Sequence, residues 1–304
     1  MAKVILVTGA TGKQGGSLID KLLEENADVE ILALTRDSAS NSAQKLKGKS
    51  PKIQLVQGNL DDPKAIFANA KNATKQPIWG VFSVQVPSPT ASVQEVEMRQ
   101  GKTLVDAALE NNVKFFVYSS VDRGGDASYD TPTDIPHFTS KHHIEHHLIE
   151  KAKGTDMAWT ILRPVAFLEN LTPDFLGKFF ATTWKNVVKD KPLQVISTSD
   201  IGWFAAQAFL RPDEWKNRAL SLVGDELTFQ EMQKIFKAKT GQDVPLTFGW
   251  LCTIMLWVLG DFGKMFNWFH DKGFSADVAT LKKMNPGLRD FGTWLETESG
   301  FATR

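Results

Sequence analysis

Three glycines near the start of the chain constrain its fold more than any other feature. Gly9, Gly12 and Gly15 lie in "VTGATGKQGG", directly after an apolar run and before a segment with helical periodicity. In this context glycine permits a sharp turn, close approach of the backbone to a pyrophosphate, and close packing of a helix on a strand. The N–H groups at the start of that helix would point at the phosphates. We therefore predict a dinucleotide-binding loop made of Gly9, Ala10, Thr11, Gly12, Lys13, Gln14 and Gly15.

The first half of the chain alternates short apolar runs with longer amphipathic segments. Six runs have the length and the β-branched or aromatic composition of strands, and they cover residues 3–9, 30–35, 52–56, 78–84, 114–120 and 158–164. Alternation of this kind predicts βαβ units around a parallel sheet. We therefore expect the α/β fold class, with a doubly wound parallel sheet of the Rossmann type.

The pattern changes after residue 165. Long helical segments then alternate with short strand-like pieces such as "LQVIS" at 193–197 and "ALSLVG" at 219–224. We predict an NAD(P)-binding domain over residues 1–165 and a smaller, mainly helical C-terminal lobe over residues 166–304, which would shape the pocket of a substrate or partner. Because no linker rich in proline or glycine separates the two, late segments could cross back onto the sheet.

Charge and cysteine content argue against several classes of protein. The 35 Lys and Arg residues balance the 35 Asp and Glu residues, so no net field attracts nucleic acid or an anionic membrane. The single cysteine, Cys252, cannot form an internal disulfide, and no basic and apolar leader precedes the first strand. The apolar run at 249–260 falls well short of the ~20 residues that span a bilayer. We expect a cytoplasmic protein, with nuclear entry still open, that binds neither nucleic acid directly nor a membrane.

The end of the second predicted strand bears on the choice between NADP and NAD. An acidic residue there would bind the adenosine ribose hydroxyls, whereas a cation would pair with a 2′-phosphate. Arg36 occupies this position and favours NADP, although Asp37 would favour NAD if it turned inward, and a solvated arginine is the alternative. The following "DSASNSAQK" carries no further cation before Lys45. We predict NADP or NADPH as the cofactor, with NAD possible.

The segment "GNLDD" at 58–62 would border the adenine of the cofactor. It follows the third predicted strand, and ligands of open α/β sheets lie beyond the carboxyl ends of the strands. Asn59 and Leu60 are therefore the candidate adenine contacts. For Asp61 and Asp62 the alternative is N-capping of a helix that begins at Pro63.

The stretch "IPHFTSKHHIEHH" at 135–147 holds the candidate catalytic residues. A reductase that transfers hydride needs a proton donor and a group that orients the nicotinamide ribose. His137 and Lys141 have the spacing of a Tyr-x-x-x-Lys pair, with histidine in place of tyrosine. Lys141 would contact the ribose, since a helix N-terminus disfavours a cation without a ligand. His137 either supplies the proton or packs beside Pro136, and Tyr129 is a weaker candidate for the acid.

Four histidines on the same segment raise the question of a metal site. His142, His143, His146 and His147 form two i, i+4 pairs. Such pairs at adjacent positions point along neighbouring faces of a helix, so all four cannot join one site, and no His-Glu-x-x-His motif is present. We predict a surface run of imidazoles and no metal.

Together these motifs resemble the NmrA-like branch of the atypical short-chain dehydrogenase/reductases over almost the whole chain. The resemblance rests on the glycine loop, "TR" at 35–36, "QEVEMRQGK" at 94–102, the His137–Lys141 pair and "RPVAFLENL" at 163–171. It implies a set of residues that border the cofactor: Gln85, Val86, Pro87, Arg99, Lys141, Phe167, Leu168, Glu169 and Asn170. Within that set, Arg99 and Lys141 would contact phosphate or ribose, and residues 167–170 would border the nicotinamide. It also implies that Ser119 or Ser120 polarises the substrate.

The resemblance implies two functional classes. One is an NADPH-dependent reductase of a small carbonyl or quinone, and the other is a catalytically weak NADP(H) redox sensor that regulates a protein such as a transcription factor. The expected partners are accordingly a small-molecule substrate or a regulated protein, and a homodimer is possible. The segment from Trp250 to Trp268 has no role that the resemblance supplies.

Overall fold

The computed structural model describes residues 2–85 and 93–303, so the predicted cofactor residues Val86 and Pro87 lie outside the described residues. The chain divides into two compact units that interleave along the sequence. The first contains Met1–Ser120, Thr139–Arg163 and Ile201–Leu220, and the second contains Val121–Phe138, Pro164–Asp200 and Ser221–Arg304. The expected boundary after residue 165 lies close to the passage at 163–164. A single boundary at residue 165 would assign residues 121–138 to the first unit and residues 201–220 to the second. In the structure, residues 121–138 belong to the second unit and residues 201–220 belong to the first.

Strands in the described residues form two sheets. They are β1 (Lys3–Val7), β2 (Val29–Thr35), β3 (Ile53–Gln57), β4 (Ile78–Ser83), β5 (Phe115–Ser119), β6 (Ala158–Pro164), β7 (Ala166–Phe167), β8 (Leu193–Ile196), β9 (Arg218–Leu222) and β10 (Asp225–Leu227). The larger sheet has the order β3-β2-β1-β4-β5-β6-β9, and neighbouring strands from β3 to β6 pair in parallel. All six predicted strands are present in the order of a doubly wound sheet, which confirms the predicted fold class.

Helices follow most strands. They are α1 (Lys13–Glu24), α2 (Asn41–Lys47), α3 (Pro63–Ala73), α4 (Val93–Glu110), α5 (Pro136–Ala152), α6 (Phe175–Thr183), α7 (Thr198–Leu210), α8 (Pro212–Trp215), α9 (Phe229–Thr240), α10 (Gly249–Val258), α11 (Gly260–Asp271), α12 (Val278–Met284) and α13 (Phe291–Thr297). Short 3₁₀ helices at Gly125–Tyr129 and Leu168–Asn170 and a π-helical turn at Trp184–Val188 complete the set. Within the described residues, no helix combines the length and the apolar character needed to cross a bilayer.

The core of the first unit lies on the large sheet. Strand residues such as Leu6, Val81 and Phe116 are fully buried, as is typical of a parallel sheet covered by helices on its faces. Helix α1 buries Leu18 and Leu22, which lie on the apolar stripe that its sequence predicts. Because these strands run parallel, their carboxyl ends lie at the same edge of the sheet.

Helix α3 shows why the "GNLDD" segment ends where it does. Asp62 is its N-cap and accepts a hydrogen bond from the backbone N–H of Ala65 at 3.0 Å, while Pro63 occupies the first turn. Aspartate is favoured at the N-cap because its carboxylate accepts a hydrogen bond from a backbone N–H that has no partner within the helix. Proline is favoured in the first turn because it has no backbone N–H that needs a partner. The N-capping alternative is thus correct for Asp62, and Asp61 is left for another role.

The second unit has its own core around aromatic side chains. Trp184, Phe266 and Trp294 are buried there, beside a small sheet of order β10-β8-β7. Helix α9 begins with a capping box formed by Thr228 and Glu231, which fixes its start. This core needs no contribution from the large sheet to be continuous, since its members all come from the second unit.

Candidate functional site

The glycine loop between β1 and α1 contains two glycines that the fold itself requires, Gly9 and Gly15, and a third, Gly12, that has more room. A Cβ on Gly15 would lie 2.4 Å from the carbonyl oxygen of Gly9, which is a clash with backbone. A Cβ on Gly12 would lie 3.2 Å from the same oxygen, which small shifts can relieve. Gly9 has a φ of +58°, which glycine adopts at little cost. Packing therefore explains Gly9 and Gly15, whereas close approach of a ligand remains the better explanation for Gly12.

The start of helix α1 is arranged as an anion site. Its N-cap is Gly12, which has no side chain to satisfy the first N–H groups of the helix. The predicted loop residues around it differ in exposure: Ala10 is buried, whereas Thr11 and Lys13 are exposed. Unsatisfied N–H groups and the positive end of the helix dipole favour a phosphate at this position. The geometry of the loop fits a pyrophosphate.

Arg36 and Asp37, at the end of β2, have different surroundings. The Arg36 side chain is exposed and makes no hydrogen bond or ion pair with any described residue. The Asp37 carboxylate instead turns back into its own loop, where Oδ1 accepts a hydrogen bond from the Ala39 N–H at 2.8 Å. The carboxylate that would favour NAD is thus engaged locally, and the guanidinium remains accessible to a phosphate.

The predicted adenine segment carries a polar cluster at the surface. Asn59 is exposed and Leu60 is half-buried against the core. Arg99 on α4, which was predicted to contact phosphate or ribose, has its Nη2 at 2.7 Å from Oδ1 of Asp61, and Gln100 donates to the same oxygen at 3.0 Å. Hydrogen bonds from Gln100 and Arg99 lower the pKa of the Asp61 carboxyl below its usual value. The phosphate contact of Arg99 stays a prediction, and its observed partner is Asp61.

Lys141 is buried rather than solvated. Its Nζ donates to the backbone carbonyl of Ser119 at 2.9 Å and lies 3.5 Å from Oε1 of Glu97 on α4. The ammonium is also 5.5 Å from the centroid of the Tyr118 ring. A buried cation needs such partners, since desolvation without compensation costs several kcal/mol. The lysine is therefore held at the carboxyl end of β5, the edge at which ligands of this fold class bind.

The two serines that end β5 belong to separate networks. The buried Oγ of Ser119 donates to Oε1 of Gln14 in the glycine loop at 2.5 Å. Ser120 Oγ donates to Glu145, and Arg163 binds the same carboxylate through Nη2 at 2.7 Å. Ser119 thus couples the end of β5 to the loop, and its predicted role in polarising a substrate stays a prediction.

Sequence reasoning missed two buried carboxylates: Glu97, which pairs with Lys141, and Glu145, which pairs with Arg163. Both are buried, and each lies on the apolar stripe of its helix. Glu97 shares the spacing i, i+4 and i+7 with Gly101 and Leu104, and Glu145 precedes Leu148 by three residues. An acidic residue at a core position of an amphipathic helix is the signal that could have identified them, since buried carboxylates require partners.

Gln85, immediately after β4, provides a further observation at this edge. Its side chain is 3% exposed, and its Nε2 donates to Ser83 Oγ at 2.9 Å. Its Oε1 is buried and accepts no hydrogen bond from any described residue. A buried acceptor without a donor is rare in native proteins and calls for an explanation such as a ligand. The predicted contact of Gln85 with the cofactor is consistent with this acceptor.

The remaining candidates lie in the second unit. Phe167 ends β7, and Leu168 to Asn170 form a 3₁₀ turn in which Glu169 accepts a hydrogen bond from the Thr198 N–H at 2.8 Å. His137 is half-buried in the first turn of α5, with its ring centroid 6.2 Å from that of Phe138. Tyr129 is 40% exposed at the end of the 3₁₀ helix Gly125–Tyr129. Their predicted roles beside nicotinamide and substrate stay predictions.

The histidines of α5 are dispersed as the helical spacing requires. The rings of His142 and His146 have centroids 4.2 Å apart, whereas His147 Nε2 lies 2.8 Å from Oδ1 of Asp106 on α4. His143 is exposed, and partial burial beside the cation of Lys102 lowers its pKa. Over residues 2–85 and 93–303, no group of three His, Cys, Asp or Glu side chains could hold a metal ion.

Comparison with solved structures agrees with this architecture. The triphenylmethane reductase of Citrobacter sp., complexed with NADP(H), superposes with a TM-score of 0.72 at 16% identity, over 97% of this chain and 99% of that one. NmrA, a negative transcriptional regulator solved in complex with NAD, gives a TM-score of 0.67 at 17% identity, over 98% and 95% of the two chains. At these identities the likeness establishes the fold.

Comparison with known sequences is more specific. The NmrA-like family domain-containing oxidoreductases lnaB of Aspergillus flavus and FrzB of Cladobotryum sp. are each 27% identical to the chain. The alignments cover 79% and 80% of this chain and 73% and 75% of the relatives. Residues 1–287 match the profile of the NmrA-like family. With the glycine loop, the sheet order and this match in agreement, the chain belongs to the NmrA-like family.

Proposed function

We propose that the protein binds NADP(H) and acts as an NADPH-dependent reductase of a small carbonyl or quinone. The observation that carries the cofactor preference is the contrast between the accessible guanidinium of Arg36 and the locally bonded carboxylate of Asp37. A 2′-phosphate pairs with the first, whereas the second is not available to a ribose diol. Relatives named as oxidoreductases, and related folds solved with NAD or NADP, support a nicotinamide dinucleotide cofactor without choosing between the two.

The residues of the first unit fit such a cofactor. Gly12 and the start of α1 would hold the pyrophosphate, Arg36 the 2′-phosphate, and Gln85 would use its unsatisfied acceptor. When bound, the nicotinamide supplies a hydride. Lys141 would give the ribose a charged hydrogen-bond donor at the end of β5. The chain's own contribution is thus mainly to bind and orient, as is usual in cofactor enzymes.

Histidine at position 137 limits the acceptors that the protein can reduce. A quinone becomes aromatic on reduction, and solvent can supply its proton, so a strong positioned acid is dispensable. A simple ketone would need a positioned proton donor, and His137 is the first candidate for that role. We expect slow turnover that is confined to easily reduced acceptors.

The test is NADPH oxidation with a panel of quinones, aldehydes and ketones. For quinones, His137→Ala should cost less than about tenfold, set against the 10²–10⁴-fold that general acid catalysis contributes. Ketone reduction that His137→Ala abolishes would instead identify the histidine as the acid. Lys141→Ala should weaken cofactor affinity more than it lowers kcat.

A redox sensor is the second candidate function. It is favoured by the buried ion pair of Lys141 with Glu97 and by the internal hydrogen bond of Ser119, since both side chains already have protein partners. A sensor needs tight and selective nucleotide binding but no proton donor. The discriminating result is a tight NADPH complex without turnover of any acceptor, together with a protein partner whose binding depends on the nucleotide.

A further inference from the structure

Helix α10 exposes an apolar stripe in place of the polar face expected of a surface helix. Trp250, Ile254, Trp257 and Val258 have the spacing i, i+4, i+7 and i+8, which places them on one side. They are 65%, 51%, 84% and 66% exposed. Cys252, on the opposite side, is buried against the second unit. The helix is apolar on every face, and such helices are normally buried throughout.

The stripe continues into the residues that flank the helix. Phe248 precedes it, and Leu259 and Phe262 form the turn into α11, all three being between 44% and 68% exposed. We call these seven residues the hairpin surface: Phe248, Trp250, Ile254, Trp257, Val258, Leu259 and Phe262. Four of them are aromatic, and an aromatic side chain contributes about 150–250 Å² of area. The hairpin surface therefore presents on the order of 800 Å² of apolar area.

That area is larger than an ordinary monomer exposes and matches what a dimer needs. The largest apolar patch of a typical monomer is about 300–600 Å², whereas a standard interface buries about 800 Å² on each partner. The seventeen residues from Val244 to Gly260 also contain no charged side chain. Depletion of charge with enrichment of tryptophan and phenylalanine is typical of the centre of a permanent interface.

Helix α10 carries no charged residue, and the first charge after it is Asp261 in α11, which favours a second copy of the chain as the occupant. In a two-fold interface the same surface of each protomer meets the other, so a net charge on that surface would repel the like charge on the partner protomer. An uncharged aromatic stripe is self-complementary without a matching partner surface. A lipid surface is less well matched, because helices that lie on membranes carry lysine and arginine along a polar face, and α10 has neither.

We propose that the hairpin surface is the contact of a homodimer, in which α10 of one protomer packs along α10 of the other. Trp257 is the most exposed residue of the surface and would be buried at its centre. Tryptophan is enriched among the residues that dominate the binding energy of an interface. A charge placed there would be buried twice in each dimer.

The test is the mass of the full chain in solution by light scattering coupled to size-exclusion chromatography. The parent should have twice the mass of the 33.8 kDa chain. Trp257→Asp should shift it to the mass of one chain while the circular dichroism spectrum and thermal transition are retained. Leu176→Asp, at a 67% exposed leucine on α6 outside the hairpin surface, is the matched control and should leave the dimer intact.

Three results would overturn the proposal. One is a parent protein with the mass of a single chain, and the second is a Trp257→Asp variant that remains a dimer. The third is equal dissociation by Trp257→Asp and Leu176→Asp, which would indicate general apolar association. Sedimentation with phosphatidylcholine vesicles by a monomeric parent, lost in Trp257→Asp, would assign the surface to lipid.

Discussion

Two buried ion pairs flank the same edge of the large sheet, and they differ in the geometry of the contact. Arg163 binds both oxygens of Glu145 through Nε and Nη2 at 2.7–3.2 Å. The hydroxyl of Ser120 donates a further hydrogen bond to the same carboxylate. Lys141 Nζ lies 3.5 Å from Oε1 of Glu97 and donates a hydrogen bond to the backbone carbonyl of Ser119. A bidentate pair gives geometric specificity, whereas an ammonium is a point charge that can change partners. The first pair is built to hold the fold, and the second can also receive a ligand.

The largest effect is expected when the Arg163–Glu145 ion pair is broken. Arg163→Met leaves Glu145 buried without its counter-charge, which typically costs about 3–5 kcal/mol of unfolding free energy. Urea unfolding measures the loss, and the double variant Arg163→Met/Glu145→Gln should recover part of it, because the orphan charge is removed. Cofactor affinity of the folded fraction should stay within about twofold. A tenfold change in affinity would contradict the separation of the two pairs.

The second prediction concerns the Lys141–Glu97 ion pair, which is broken by the same kind of substitution. Lys141→Met should weaken NADPH binding by about 1.5–3 kcal/mol, the usual worth of a hydrogen bond to a charged group. In the double variant Lys141→Met/Glu97→Gln, unfolding free energy should recover, whereas affinity should not. Calorimetric titration and urea unfolding of the same samples give both quantities. Recovery of affinity in the double variant would mean that Lys141 acts only on stability.

The third prediction uses the adjacent serines as a matched pair. Each hydroxyl donates a hydrogen bond to a side-chain oxygen, so each change to alanine should cost about 1 kcal/mol. For Ser120→Ala that loss should appear in unfolding free energy alone. For Ser119→Ala it should also appear in NADPH affinity, because Ser119 holds Gln14 of the glycine loop. Identical profiles for the two variants would show that the loop does not depend on this contact.

The smallest expected effect concerns a third ion pair, in the second unit. Arg289 is shared by Asp200 at 3.0 Å and Glu298 at 2.7 Å, and burial raises the pKa of both carboxyls. A raised folded-state pKa means that the neutral acid favours folding. This contribution is complete below about pH 4 and is lost as pH rises through the raised values. Thermal melts from about pH 4 to 6 should show a flatter profile for Glu298→Gln, and an unchanged slope would contradict the assignment.

Much of the first unit could be predicted because its signals are local. The turn of the glycine loop and the six strands are each encoded within a few neighbouring residues, whose conformational or burial preferences point to the same structure. Asp62 is correctly identified as a cap for the same reason, since a cap depends only on the next three residues.

The rest depends on contacts between residues distant in sequence. Glu97 and Lys141 come from different helices, and Ser119 and Gln14 are separated by 105 positions. The interleaving of residues 121–138 and 201–220 between the units likewise has no local signature. The apolar run at 249–260 predicts a helix, but its spacing alone does not show which side is left exposed. Periodicity identifies a face, and only the packed structure identifies its partner.

Selection of NADP by the first unit is proposed to depend on Arg36. The most direct measurement is calorimetric titration of the protein with NADP and with NAD, repeated on Arg36→Ala. Loss of a charge-assisted contact should weaken NADP binding by about 1.5–3 kcal/mol and leave NAD binding nearly unchanged. NADP should bind more tightly than NAD to the parent protein, and the variant should lose most of this preference. Equal affinities in the parent, or a preference that survives Arg36→Ala, would contradict it.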